Sequence, residues 1–167
     1  ILVCLVGSEM CIRDRMERLE HLAHHDALTG LANRAQLYKV MDDVVTSSHY
    51  SNQHFAVIYL DLDGFKHVND NYGHDAGDEI LKEVSSRLLS QVRAGDLVAR
   101  LSGDEFVLII KQTNKVLLAK LAERLLELIG QEVTHKQRSL HVGASLGIHL
   151  VDGSERDIDV ILKVADE

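Results

Sequence analysis

Tyr59-Leu-Asp-Leu-Asp-Gly-Phe-Lys66 and Arg100-Leu-Ser-Gly-Asp-Glu-Phe-Val-Leu-Ile-Ile110 decide the reading of this chain. Each joins a strongly apolar run to carboxylates at its end or in a tight turn. The run Phe55-Ala-Val-Ile-Tyr-Leu-Asp61 is apolar on both alternating faces, which predicts a buried central strand. Phe106–Lys111 and Asp96–Leu101 read as two further strands. Ser102-Gly103-Asp104-Glu105 turns between them, and Gly103 supplies the positive φ that a tight hairpin wants. Asp61 and Asp63 close the first strand, and one of them is expected to serve a site on a given side. If the two strands are neighbours, Asp61 and Asp104 converge. Carboxylates fixed on rigid strand ends suit a hard cation, so the pair predicts an Mg²⁺-assisted phosphoryl-transfer centre.

Outward from these strands, helical periods alternate with extended runs. Leu37, Val40, Met41, Val44 and Val45 repeat as a helix to about Thr46, with Asn33 as its cap and a polar loop over 47–53. A short helix follows Asp63 and breaks at Tyr72-Gly-His. A longer one starts near Asp75, carrying Ala76, Ile80, Leu81, Val84, Leu88 and Leu89 inward. Residues 114–129 form another helix capped by Asn114, 140–150 a glycine-softened strand, and 155–165 a last helix. The order α-β-α-β-β-α-β-α predicts an α/β (α+β) fold. Its central mixed sheet holds one hairpin and is flanked by helices, in a ferredoxin-like or polymerase-palm arrangement.

The 167 residues suit one domain with a real core, and 46% hydrophobic with 26% charged residues is a globular mixture. A net charge of −8 argues against nucleic acid or an anionic membrane as the main partner. It leaves room for a nucleotide, since local cations and a metal mask an acidic surface. No apolar run reaches the ~18 residues of a membrane span. Both cysteines, Cys4 and Cys11, fall in the first fifteen residues, so a disulfide scaffold is not expected and a reducing cytoplasm is. Residues 1–15 keep no period and are read as a non-native lead, the alternative being the tail of a preceding membrane or sensor segment. Residues 16–25 read as a helical connector, with His21, His24 and His25 on one solvated face rather than as metal ligands.

Several longer motifs stand in order along 26–167. They are Asp26-x-Leu28-Thr29-Gly30-Leu31-x-Asn33-Arg34, Asp61-x-Asp63-x-Phe65-Lys66-x-x-Asn69-Asp70, Tyr72-Gly73-His74-Asp75-x-Gly77-Asp78, Ser102-Gly103-Asp104-Glu105-Phe106 and Ser145-x-Gly147. Together they resemble the GGDEF domain of the diguanylate cyclase family. The resemblance implies condensation of two GTP into cyclic di-GMP with release of pyrophosphate, across a homodimer that meets face to face. It implies that Asp61, the backbone carbonyl of Leu62 and Asp104 hold Mg²⁺ (or Mn²⁺). Asp104 would also orient or deprotonate the ribose 3′-hydroxyl, with Glu105 in support. Asn69 and Asp78 would read the guanine edge, His74 would line the pocket, and Phe65 and Lys66 would face the phosphates. Gly103 would let the backbone approach the nucleotide. Arg93-Ala-Gly-Asp96 matches the family's RxxD product-inhibition motif, with Arg100 as an added contact.

Two departures stand out. Ser102 replaces the first glycine of the signature, a mild change that leaves the acids intact. The chain stops at Val164-Ala165-Asp166-Glu167, where the family continues with Ala-Leu-Tyr-x-Ala-Lys-x-x-Gly-Arg-Asn, so a natural continuation bearing triphosphate-binding cations is expected. A parent protein with an upstream sensor, and with a downstream phosphodiesterase or other output domain, is expected too, membrane-anchored or free. The competing reading is a catalytically weak GGDEF-like module that binds GTP or cyclic di-GMP and regulates an attached output domain.

Overall fold

The computed structural model describes residues 15, 16, 19, 23–51 and 53–167. The lead expected over 1–15, apart from residue 15, lies outside the described residues, as do residues 17, 18 and 20–22 of the connector, His21 among them.

From Arg34 onward, among the described residues, five helices and six strands follow one another as α1 (Arg34–Ser51), β1 (Phe55–Asp61), α2 (Phe65–Tyr72), α3 (His74–Gln91), β2 (Leu97–Ser102), β3 (Glu105–Lys111), α4 (Lys115–Ile129), β4 (Val133–His135), β5 (Arg138–Leu140), β6 (Ser145–Val151) and α5 (Ile158–Asp166). The main sheet runs β2-β3-β1-β6. All three of its ladders are antiparallel. It becomes mixed only at the β2 edge, where Ala32 makes an isolated parallel bridge to Ala99. The expected α/β sandwich of ferredoxin-like topology is therefore present.

β1 sits at the centre because both of its faces are apolar. Ala56, Ile58 and Leu60 join the core beneath α2, α3 and α4. Phe55 and Val57 join the opposite core beneath α1 and α5. Leu89, expected on the inner side of α3, is instead exposed, because it stands about 100° round the helix from the buried Leu88. Full burial of Ile58 and Leu60 contributes about 1.5–3 kcal/mol for each side chain. α1 starts where Asn33 Oδ1 accepts the Gln36 amide at 3.0 Å. It outlasts the expected stop at Thr46 because its serines are satisfied within the helix. Ser47 and Ser51 donate to the carbonyls of Asp43 and Ser47, each at 2.7 Å. Asn114 caps α4 as expected, accepting from the amides of Val116 and Leu117. α5 begins at Ile158 because Asp157 caps it. Its last turn lies so close to β6 that a Cβ on Gly147 would sit 1.7 Å from the Ala165 carbonyl oxygen.

The strand expected over 140–150 begins only at Ser145. Before it stands a hairpin, β4–β5, that the sequence did not announce. Its turn residues Lys136 and Gln137 take φ of 46° and 64°, the left-handed region usually filled by Asn or Gly. Between β5 and β6 the chain is fixed by Gly143, which exchanges two backbone hydrogen bonds with Asp63 at 3.0 and 3.1 Å.

Candidate active site

The site is the tip of the sheet where β1 ends. Asp61 is in register with Glu105 of β3 on one side and Ser145 of β6 on the other. Its carboxyl is pushed above the ordinary carboxylate value of 3.8 by burial, then by the charges of Asp104, Glu105, Asp63 and Asp166. Asp61 and Asp104, 43 positions apart, thus share one negative field, as their strands' expected adjacency requires. Asp63 lies just beyond the strand, its carboxylate accepting from Ser145 Oγ at 3.0 and 3.1 Å. Leu62 is 2% exposed, so its side chain anchors the tip. Its carbonyl receives only a long 3.5 Å contact from the Phe65 amide and keeps acceptor capacity.

The turn between β2 and β3 is held by more than its own backbone. Gly103 takes φ +44°. Arg100 Nε donates to its carbonyl at 2.9 Å, and Arg100 Nη1 reaches the Asp26 carboxylate at 3.0 Å. Asp26 also accepts from the Thr29 amide and hydroxyl at 2.9 and 2.7 Å. Burial would raise the Asp26 pKa, but these hydrogen bonds and the Arg100 charge outweigh it and hold the carboxyl below 3.8. Arg100 was expected to contact product; its guanidinium is engaged within the chain. Glu105 accepts a hydrogen bond from Ser102 Oγ. The Tyr59 phenol is pushed up to about 12 by burial and then by the Glu105 charge.

The expected nucleotide residues lie on α2 and α3. Phe65 is buried and Lys66 exposed at the start of α2. Gly73, at φ 86°, ends α2 and opens α3, and its amide donates to the Asn69 carbonyl at 3.0 Å. A Cβ on Gly77 would fall 2.1 Å from Asn69 Oδ1, so glycine there makes room for the Asn69 amide between the helices. Asn69 and Asp78 are both half-buried, and His74 is exposed at the first position of α3. Across the sheet edge, the Asp96 carboxylate accepts from the amides of Arg93 and Lys111, each at 3.0 Å. The Arg93 side chain is exposed. Asp96 and Arg93 thus meet through the Arg93 backbone.

Sequence reading overlooked Tyr59, Asp166 and the Asp26–Arg100 pair. Tyr59 had a signal: residues two apart on a strand share a face, so Tyr59 travels with Asp61. The Asp26-x-x-Thr29 spacing signalled a side-chain turn, but not its partner 74 positions away.

Among the described residues, no three His, Cys, Asp or Glu side chains are disposed to hold a metal by themselves. Asp61, Asp104 and one carbonyl form the kind of partial set Mg²⁺ accepts, since it keeps waters and takes phosphate oxygens. The mutual repulsion that raises Asp61 is the electrostatics a cation relieves. No helix among the described residues is long and apolar enough to cross a membrane.

Residues 23–167 match the family model described as diguanylate cyclase, GGDEF domain. The chain is 44% identical over 135 residues to the bifunctional diguanylate cyclase/cyclic di-GMP phosphodiesterase MucR of Pseudomonas aeruginosa, covering 81% of this chain and 20% of that protein. It is 37% identical over 168 residues to the probable diguanylate cyclase DgcE of Escherichia coli, covering 96% of this chain and 15% of that protein. The chain therefore spans a fifth or less of those relatives. A sensory box/GGDEF family protein from Caulobacter crescentus superposes with a TM-score of 0.80 at 38% identity, over 86% of this chain and 93% of that one. With the ordered motifs, the palm-like sheet and the acidic strand tip, these likenesses establish that the chain belongs to the GGDEF family of diguanylate cyclase domains.

Proposed function

We propose that this protein condenses two GTP into cyclic di-GMP with release of pyrophosphate. The observation that carries the reading is the strand tip, where Asp61 is held above its ordinary pKa facing Asp104 and Glu105. Such a site favours a cation and a phosphate over its own bare charges. Asp61, the Leu62 carbonyl and Asp104 would hold Mg²⁺ or Mn²⁺, which supplies neutralisation of triphosphate charge.

The chain's own residues do the rest. Asp104 accepts the proton of the ribose 3′-hydroxyl. The freed oxygen attacks the α-phosphorus of the second GTP, and the bond to the β-phosphate breaks to release pyrophosphate. Ring closure repeats the exchange with the two nucleotides' roles reversed. Glu105 supports Asp104 at the turn. Asn69 and Asp78 offer an acceptor and donors to the guanine edge, His74 lines the base, and the Phe65 amide, Gly103 and Lys66 approach the phosphates. Two copies meet face to face, each holding one GTP. Arg93 and Asp96 bind product as a feedback site, and Arg100 joins it only by exchanging Asp26 for product. The protein works in the cytoplasm, downstream of a sensor, and no nucleic acid is a partner.

A second reading is a weakly catalytic module that binds GTP or cyclic di-GMP and regulates an attached phosphodiesterase or other output domain. The pairing of a diguanylate cyclase with a cyclic di-GMP phosphodiesterase in a bifunctional relative favours it. Incubation of the full-length protein with GTP and Mg²⁺, followed by chromatography of the nucleotides, separates the two. A cyclic di-GMP peak lost in Asp104→Ala supports the cyclase, and a peak that persists in that variant overturns the site. Saturable nucleotide binding without product, in a folded protein, favours the module.

A further inference from the structure

Ser102 is not a spectator. Leu101 is the extra residue of an irregularity in the β2–β3 ladder: Arg100 pairs with Phe106, and Ser102 pairs with Glu105. The bulge sets Ser102 directly opposite Glu105, where cross-strand side chains lie closest. Its hydroxyl donates to Glu105 Oε2. On the other flank Tyr59 stands diagonal to Glu105 across the β1–β3 ladder. Asp61 stands directly opposite Glu105 on β1. The turn that carries Ser102 cannot drift, because Arg100 ties the Gly103 carbonyl to Asp26.

We propose that Ser102 is a positioning residue: its hydroxyl clamps the Glu105 carboxylate beside Asp61, so the departure from glycine adds a support that a glycine could not give. A carboxylate repelled by its neighbours swings away unless a donor holds it, and the Ser102 hydroxyl opposes that swing here. The catalytic consequence rests on the cyclase reading; the clamp itself does not.

The test compares Ser102→Ala, Ser102→Gly and Ser102→Thr in the full-length protein, each also combined with Glu105→Ala. Turnover of GTP is read with binding of a non-hydrolysable GTP analogue and Mg²⁺. Ala and Gly are expected to lower kcat about tenfold with KM changed less than about twofold, and Thr to retain activity because it keeps the hydroxyl. Binding of the analogue should likewise change less than about twofold in Ala and Gly. Thermal unfolding gives a reading independent of nucleotide: the Tm shifts of Ser102→Ala and Glu105→Ala should fail to add by about 2–3 °C. Additive shifts overturn the clamp, and Ala and Gly variants that match an active wild type in turnover overturn its catalytic consequence. Non-additive shifts in a protein that makes no cyclic di-GMP uphold the clamp and overturn the cyclase reading alone.

Discussion

Asp26 and Asp61 are moved in opposite directions by the same fold. Burial is the leading influence on each, and it pushes both carboxyls up. The partners decide the sign. Asp26 is met by the amide and hydroxyl of Thr29 and by Arg100, and ends below its ordinary value. Asp61 is met by Asp104, Glu105, Asp63 and Asp166, and ends above it. The two carboxylates flank one hairpin turn, since Arg100 holds Gly103 while Asp61 pairs with Glu105. One acid is spent on fixing the turn. The other is kept charged and poorly compensated for a ligand to use.

Asp61→Asn breaks the contrast most strongly. The amide loses the charge that Mg²⁺ would need and also loses the repulsion from four neighbouring acids. Product formation is expected to fall by at least about 10²-fold, the scale seen when one transition-state charge partner is removed. The melting temperature of the ligand-free protein should rise. A variant that loses activity and stability together would mean that Asp61 is an ordinary structural acid.

Asp26→Asn is expected to do the reverse. Its partner Arg100 is 13% exposed and Asp26 24%, between the exposed pairs that contribute little and the buried ones that cost about 3–5 kcal/mol to break. A loss of about 2 kcal/mol follows, read by urea unfolding, with product formation reduced through a looser turn rather than abolished. The pH dependence has a defined sign. The folded pKa of Asp26 is depressed below 3.8, so its stabilisation is present above that value and is lost as pH falls through the lower folded pKa. The Asn variant should lack this part of the acid limb. If wild type and variant lose stability in parallel below about pH 4, the assigned partners of Asp26 are wrong.

Legibility in the sequence followed how local each cause was. β1 was readable because Phe55 to Leu60 are apolar on both faces, and the hairpin turn because Gly103 and two acids punctuate two apolar runs. The convergence of Asp61 and Asp104 needed only that these strands be neighbours. The Asp26–Arg100 pair was not readable, because nothing near Asp26 names a partner 74 positions on. Ser102 was read as a mild loss of glycine; only the register with Glu105 gives its hydroxyl something to hold. The family resemblance supplied roles for Asn69, Asp78 and Lys66 that periodicity could not. The packing of Asn69 against Gly77 then gives a physical reason for one glycine of that motif.

The β4–β5 hairpin escaped for a related reason, and it offers the smallest test. Its turn is formed by Lys136 and Gln137, neither of which advertises the left-handed region that both occupy. This is a backbone cost, whereas the cost at Asp61 is electrostatic. Lys136 reaches only the exposed Asp75 at 3.8 Å, a pair too solvated to repay it. Gln137→Gly removes the side chain from the unfavourable region, while glycine's greater freedom in the unfolded chain returns part of the gain. The net expectation is about 0.5 kcal/mol of added stability by urea unfolding. Product formation should not change, because no residue assigned to the chemistry lies in the turn. A change in turnover would tie the hairpin to nucleotide handling through Asp75 and Tyr72, over whose ring Arg138 sits at 5.9 Å. Unchanged turnover would leave Asp61 as the place where relieving a cost removes activity, which is the difference between strain the fold merely tolerates and charge it keeps for a ligand.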